Sequence, residues 1–121
     1  TEIDNGWEGP IFDYLYVEDL ATVVDHFIMH EAQYKTYNVT SGETIDLGSL
    51  AEIVCQISGE RMEILIKEEG WGVEYSGDNS RLRESLPHLQ LTPLSRSIPS
   101  LYAWYEANRH LINRDLLLVD K

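Results

Sequence analysis

The sequence predicts a mixed α/β chain of about four helices joined by short strands, α+β when its 121 residues stand alone. Three observations predict it. Apolar residues recur at helical spacing over Leu20, Val23, Val24, Phe27 and Ile28, and again over Leu50, Ile53, Val54 and Ile57. Between and around these stretches lie short runs rich in aromatic and β-branched residues, bounded by Gly, Asn, Asp and Ser. The hydrophobic fraction is 43%, enough for one folded domain, yet no apolar run approaches the ~20 residues of a membrane span.

In chain order, Thr1–Asp4 reads as a short strand entering a tight turn at Asn5-Gly6, a dipeptide that accepts positive φ. Ile11–Val17 reads as a strand because aromatic and β-branched residues dominate it. Glu18 and Asp19 place negative charge in the first turn of a helix running to about Glu31, where the macrodipole favours it. Tyr37–Thr40 follows as a short strand, and Ser41-Gly42-Glu43 as a turn. Asp46 is an N-cap for the second helix, which Gly59 ends. Met62–Lys67 alternates as a strand would, and Gly70, Gly72 and Gly77 mark a loop around a further short strand at Val73–Tyr75. Asp78 or Asn79 caps a short helix that stops before Pro87. The last helix follows Thr92-Pro93, with Pro93 in its first turn and Pro99 either kinking it or marking its true start after Ser97. Leu101, Tyr102, Tyr105 and Leu111 form its inner face.

Charge narrows the function classes. Twenty-one acids against nine Lys and Arg leave a net charge of -12, opposite to the positive footprint of a nucleic-acid binder and unsuited to anionic membranes. No basic segment followed by an apolar stretch opens the chain, so a cytoplasmic location is expected, and Thr1 without a preceding Met suits a piece of a longer polypeptide. The single cysteine, Cys55, has no partner for an internal disulfide; beside Ile53, Val54 and Ile57 it reads as a small buried core residue.

Candidate chemistry is sparse. His26 and His30 stand i, i+4 on a helix, a spacing that places two imidazoles on one metal, but only the adjacent Glu31 offers a third ligand and a solvated face is the better reading. There is no G-x-S-x-G elbow, no G-x-G-x-x-G and no phosphate-binding G-x-x-x-x-G-K-[ST]. Glu68-Glu69 reads as a solvated loop. Tyr14, Tyr16, Tyr102, Tyr105 and Trp104 read as packing residues rather than a base-stacking surface. Taken alone, the residues lead as far as an acidic α/β domain.

Four segments carry more. Phe12 to Ala21, F-D-Y-L-Y-V-E-D-L-A, resembles the R-D-[FYW]-[LIV]-[YH]-V-x-D-L-A segment of extended short-chain dehydrogenases acting on nucleotide sugars. Tyr37 to Glu43 is similar to that family's Y-N-[IV]-G-x-G, with the helix of Leu47 to Val54 after it. Asp78 to Arg83 resembles D-x-S-[KR]-[LI]-R, and Leu101 to Arg109 resembles the closing E-W-Y-x-x-N helix. Each match is weak by itself; their order and separations make the set specific, and it covers nearly the whole chain.

The resemblance implies the C-terminal, substrate-binding portion, residues 1–121, of an NAD(P)-dependent nucleotide-sugar 4,6-dehydratase or epimerase. The Tyr16-Val17-Glu18-Asp19 wording leans towards the dehydratases, of which dTDP-glucose 4,6-dehydratase is the type. It implies that NAD(P) and the catalytic Tyr-x-x-x-Lys pair belong to an N-terminal Rossmann half outside this chain, so the chain carries no catalytic, cofactor-binding or metal residue and is catalytically incomplete. Ser41, Gly42, Glu43 and Thr44 are the implied substrate contacts. A homodimer is expected, because apolar surface on Ile11–Val17 and the first helix lacks its Rossmann partner. Two departures stand out. The family's diphosphate-binding Arg before Asp13 is Phe12, and a second such Arg, about ten residues before Asp78, falls on Glu68-Glu69-Gly70-Trp71, with Lys67 the nearest cation. They leave an alternative: a non-enzymatic binding or assembly module, or a relative whose substrate has no diphosphate.

Overall fold

In the computed structural model, which describes residues 10–65, 74–117 and 119, helices carry almost all of the regular structure. Strand β1 (Ile11–Phe12) leads to α1 (Val17–Met29). Strand β2 (Ile45–Asp46) runs straight into α2 (Leu47–Ser58), and α3 (Ser80–Ser85), α4 (Leu94–Ala107), a 3-10 turn at Arg109–Leu111 and α5 (Arg114–Leu117) follow among the described residues. The sheet is a two-residue antiparallel ladder, Ile11 opposite Asp46 and Phe12 opposite Ile45, extended by the Leu47 amide bonding to the Pro10 carbonyl at 3.2 Å. Tyr75 adds a parallel bridge to Phe12.

The expected helices form where the apolar spacing places them, with five α-helices among the described residues rather than about four. At α2 the reasons are visible. Asp46 Oδ1 accepts from the Ser49 amide at 2.7 Å, satisfying one orphan donor of the first turn, and Gly59 takes the left-handed conformation, φ 69°, that ends it. Its apolar face, with Leu50, Ile53, Val54 and Ile57, is half-buried, and α2 packs against α4. Cys55 is half-buried too, not a core residue. The α3 cap is divided between two residues: Asn79 holds the N-cap position while Asp78 Oδ1 accepts from the Ser80 amide at 2.9 Å.

The expected strands contract. Only Ile11–Phe12 of the run to Val17 pairs as a strand. Asp13 turns its carboxylate to the Gly77 amide, and the Tyr16 carbonyl is already taken by the amides of Asp19 and Leu20 in the first turn of α1. Tyr37–Thr40 forms no ladder; each of its bonds to the 77–79 segment has a side chain at one end, from Asn38, Thr40 or Asn79. Residues 62–65 are irregular, with Leu65 exposed, and of the expected Val73–Tyr75 strand the described residues show a bridge at Tyr75. Thr1–Asp4, Asn5-Gly6, Lys67, Glu68-Glu69, Gly70 to Gly72 and Val73 lie outside the described residues.

At α4, Pro93 is the N-cap residue with extended backbone, one place earlier than expected, and the helix runs through Pro99. Pro99 is the sixth residue of α4, so its missing amide costs a helical hydrogen bond there. The buried side of α4 is Ser97 and Ile98; Leu101, Tyr105 and Leu111, expected inside, are exposed, and only Tyr102 is half-buried.

The core is small. Val23, Leu82 and Leu86 are buried together, with Phe27, Tyr37, Val39 and Leu89 partly buried around them. Leu82 has no exposed surface, so α3, though only six residues long, is pinned by about 2–3 kcal/mol of apolar burial at one side chain. Asp19 goes beyond favourable helix-start charge. It is buried, and its two carboxylate oxygens accept from the Thr92 amide at 2.8 Å and the Thr92 hydroxyl at 2.7 Å, fixing the start of α1 to the lead-in of α4. A buried carboxylate needs such partners to offset its lost hydration.

Ser49, through its side chain and then its amide, holds the Asp46 carboxyl below its ordinary value of 3.8. A carboxyl whose folded value is depressed contributes stability that is present in full above 3.8 and is lost as pH falls below it towards the folded value. Urea midpoints measured from pH 5 down to about pH 2 should therefore show a loss in the wild type that Asp46→Asn, which caps without titrating, lacks.

Candidate functional site

The loop Ser41–Thr44 lies between the Tyr37–Thr40 segment and β2. Ser41 makes its turn: its hydroxyl accepts from the Glu43 amide at 3.2 Å and donates to the Glu43 carbonyl at 2.9 Å. Gly42 sits at φ 75°, a conformation in which a Cβ is strained, with glycine removing the strain. Gly42, Glu43 and Thr44 are exposed and Ser41 is half-buried, so the loop is open to a ligand.

What positions this loop is α3 and the segment before it. Asn79 Nδ2 donates to the Thr40 carbonyl at 2.9 Å, while Asn79 Oδ1 accepts from Arg83 Nε at 3.1 Å. Arg83 Nη2 then donates to the Ser41 carbonyl at 3.3 Å. Thr40 Oγ1 reaches the Gly77 carbonyl and Asn38 Nδ2 the Asp78 carbonyl, each at 3.0 Å, and the Gly77 amide donates to Asp13 Oδ2 at 2.7 Å. A Cβ on Gly42 would stand 2.9 Å from Asn79 Nδ2 and 3.3 Å from Arg83 Nη2, so the loop rests directly on the Asn79–Arg83 pair. Sequence reasoning missed Asp13, Thr40, Asn79 and Arg83 as its supports. The i, i+4 spacing of Asn79 and Arg83 was a legible signal; their meeting with a loop about forty residues away was not.

Phe12, where the resembled family has Arg, packs edge-on against Tyr14 at 6.0 Å and Tyr75 at 5.2 Å between ring centres. Burial, and secondarily the neighbouring Tyr75, raises the Tyr14 hydroxyl above its ordinary value. Two recesses flank this region. One, of about 240 Å³, is apolar and lies between Tyr14, Tyr16, Leu50, Leu94, Ile98 and Leu101. The other, of about 350 Å³, is polar and lined by Thr36, Asn38, Asp78 and Arg81. In the polar recess Arg81 lies over the Tyr34 ring at 5.2 Å, and the Asp78 carboxyl is held below its ordinary value by Ser80, then by Arg81. Tyr34 is raised chiefly by its hydrogen bond to Glu84, 2.7 Å away, because the neutral hydroxyl is the donor.

These groups supply hydrogen-bond donors and acceptors and aromatic faces, which is binding chemistry. His26 and His30 stack at 4.3 Å, with His30 Nδ1 2.9 Å from the His26 carbonyl; among the described residues no group of three His, Cys, Asp or Glu converges for a metal.

No family model matches the chain. A probable GDP-L-fucose synthase 1 of Oryza sativa subsp. japonica is 27% identical over 106 residues, covering 85% of this chain and 32% of the relative. The dTDP-glucose 4,6-dehydratase of Bacillus anthracis str. Ames, solved in complex with NAD, superposes with a TM-score of 0.73 at 17% identity, over 87% of this chain and 34% of that one. The Bordetella bronchiseptica enzyme WbmH, in complex with NAD+, gives 0.69 at 18% identity, over 83% and 34%. The chain has the fold of one part of an extended short-chain dehydrogenase/reductase. It spans about a third of the length of the relatives it matches. No helix among the described residues of this dehydrogenase-type fold is long and apolar enough to cross a membrane.

The support of the loop is testable by comparing two glycines. Gly59→Ala, with φ 69° but open space around the new Cβ, is expected to cost about 1 kcal/mol in urea denaturation. Gly42→Ala, equally left-handed but crowded by Asn79, is expected to cost about 2–3 kcal/mol. Equal losses would show that the Asn79–Arg83 support is not rigid.

Proposed function

We propose that this chain is the substrate-side portion of an NAD(P)-dependent nucleotide-sugar 4,6-dehydratase or epimerase, with Ser41, Gly42, Glu43 and Thr44 touching the substrate. The observation that carries the reading is the coincidence of the four ordered motifs with a fold matched, at TM-scores of 0.73 and 0.69, by about a third of two NAD-bound enzymes. On this reading the cofactor and the proton-transferring Tyr-Lys pair are supplied by a Rossmann half outside this chain, and the chain's own residues bind and orient. The Ser41 turn presents loop backbone to the ligand, and Asn79 and Arg83 keep it in place before the ligand arrives, which lowers the ordering cost of binding.

Calorimetric titration of the chain at low salt with nucleoside diphosphates and nucleotide-sugars tests this. Millimolar or tighter binding selective for one base is expected. Absence of heat from every compound, both for the chain and for the parent polypeptide, would sink the reading. Phe12 and the net charge of -12 favour a second reading, a binding or assembly module without diphosphate chemistry. It predicts no heat in that panel.

The exposed stripe on α1 formed by Val17, Leu20, Val24 and Ile28 supports a cofactor-binding half packed on this face. In isolation the same stripe would pair two copies of the chain into a homodimer. Light scattering should give a dimer whose population rises with salt, because screening relieves repulsion between two acidic chains, and Val24→Glu should return it to monomer. A wild-type monomer at high concentration and high salt would refute the pairing.

A further inference from the structure

His26 and His30 lie one turn apart at the C-terminal end of α1, with His30 as its cap residue. Spacing alone suits a solvated face as well as a chelate; the ring geometry adds what the spacing lacks. The two imidazoles stack nearly parallel, 14° apart in plane with centres at 4.3 Å, and His26 also meets Phe27 edge-on at 5.3 Å. His30 Nδ1 lies 2.9 Å from the His26 carbonyl. A carbonyl only accepts, so in the neutral ring Nδ1 carries the proton and Nε2 keeps its lone pair. A backbone carbonyl fixes the tautomer of a metal-ligating histidine in the same way. Among the described residues no group bonds to either ring nitrogen of His26, so neither is committed and one of them offers a lone pair.

We propose that His26 and His30 form a two-nitrogen site for a divalent transition-metal ion, with water on its remaining positions. The site is independent of the substrate reading and goes beyond the resemblance, which places no metal ligand in this chain. Bonds of about 2.0–2.1 Å hold two ligand nitrogens on one ion about 3 Å apart. Rings already stacked at 4.3 Å need little adjustment to reach that separation. His30 is exposed and His26 half-buried, so an ion reaches the pair from solvent. Among the described residues no third His, Cys, Asp or Glu joins them, and this decides the class of ion. Two imidazoles favour Cu2+, Ni2+ and Zn2+, whereas Mg2+ and Ca2+ need several oxygens. The net charge of -12 draws cations towards the chain without choosing among them; the nitrogen pair makes the choice.

The test is a titration of the chain with Cu2+ at pH 8, where an ordinary imidazole is neutral, followed through the imidazole C–H resonances by NMR. Paramagnetic broadening confined to His26 and His30 is expected below one equivalent of Cu2+. The exposed His88 and His110 serve as internal controls and should stay sharp. Calorimetry with Zn2+ should then give one site per chain, weakened about tenfold or more in His26→Ala and in His30→Ala. An excess of Mg2+ of about a hundredfold should leave that site unchanged. The broadening needs no variant, so the site stays testable even where a substitution disturbs the end of α1; circular dichroism checks the fold of both variants. Equal broadening of all four histidines, or displacement of Zn2+ by Mg2+, would overturn the site and assign the binding to the acidic surface. Sharp resonances for His26 and His30 at several equivalents of Cu2+ would overturn it as well.

Discussion

The constraint on which this structure depends is the shortness of its sheet. A ladder of two residue pairs cannot tie distant parts of a chain together, so side chains bonded to distant backbone do that work. Asp13 accepts from the Gly77 amide, Asp19 from the Thr92 amide, and Asn79 donates to the Thr40 carbonyl. Asn38 and Thr40 reach the carbonyls of Asp78 and Gly77 in the same manner. Each such bond closes a loop of roughly forty to seventy residues, and the two to carboxylates are of the stronger, charge-assisted kind. Asp13 and Asp19 belong to one short stretch, so the chain from the end of β1 to the first turn of α1 anchors both the 74–78 segment and the lead-in to α4.

A small core follows from the same economy. Only Val23, Leu82, Leu86 and Ile98 are buried apolar residues among those described, whereas Val17, Leu20, Val24 and Ile28 form an uncovered stripe along α1 and Leu101, Trp104 and Tyr105 are exposed on α4. A chain of 121 residues ordinarily buries well over half of the surface its unfolded state exposes. The deficit fits a fold that occupies about a third of the enzymes it resembles. An amphipathic helix whose second apolar side faces outwards is the signature of an element designed to sit between two layers.

The candidate site inherits its order from α3. Leu82 pins that helix to the core, and from the pinned helix Asn79 and Arg83 reach the Thr40–Ser41 carbonyls under the loop. Burial on one side of a six-residue helix thereby sets the position of an exposed glycine turn on the other. The aromatic trio of Phe12, Tyr14 and Tyr75 sits on the ties between residues 11–13 and 74–77, and Gly77, which takes Asp13 at its amide and Thr40 at its carbonyl, links that support to the loop.

Local chemistry was legible in the sequence. Helical apolar spacing placed α1 and α2, the Asp46 cap and the Gly59 stop bounded α2, and four ordered motifs pointed to the fold that the solved neighbours share, because each of these signals acts over a few residues. The strands were not legible: Ile11–Val17 has the composition of a strand, but whether a ladder forms depends on a partner, and Asp13 and Tyr16 spend their polar groups on Gly77 and the first turn of α1 instead. The inner face of α4 was misassigned for a related reason, since periodicity shows that a helix has an apolar side and not what stands against it. Only the tertiary structure decided that Asp19 is a buried clamp, that Asn79 and Arg83 carry the Ser41–Thr44 loop, and that Phe12 meets Tyr75. Those contacts join residues some forty to seventy positions apart, where sequence spacing carries no geometric information and packing alone chooses the partner.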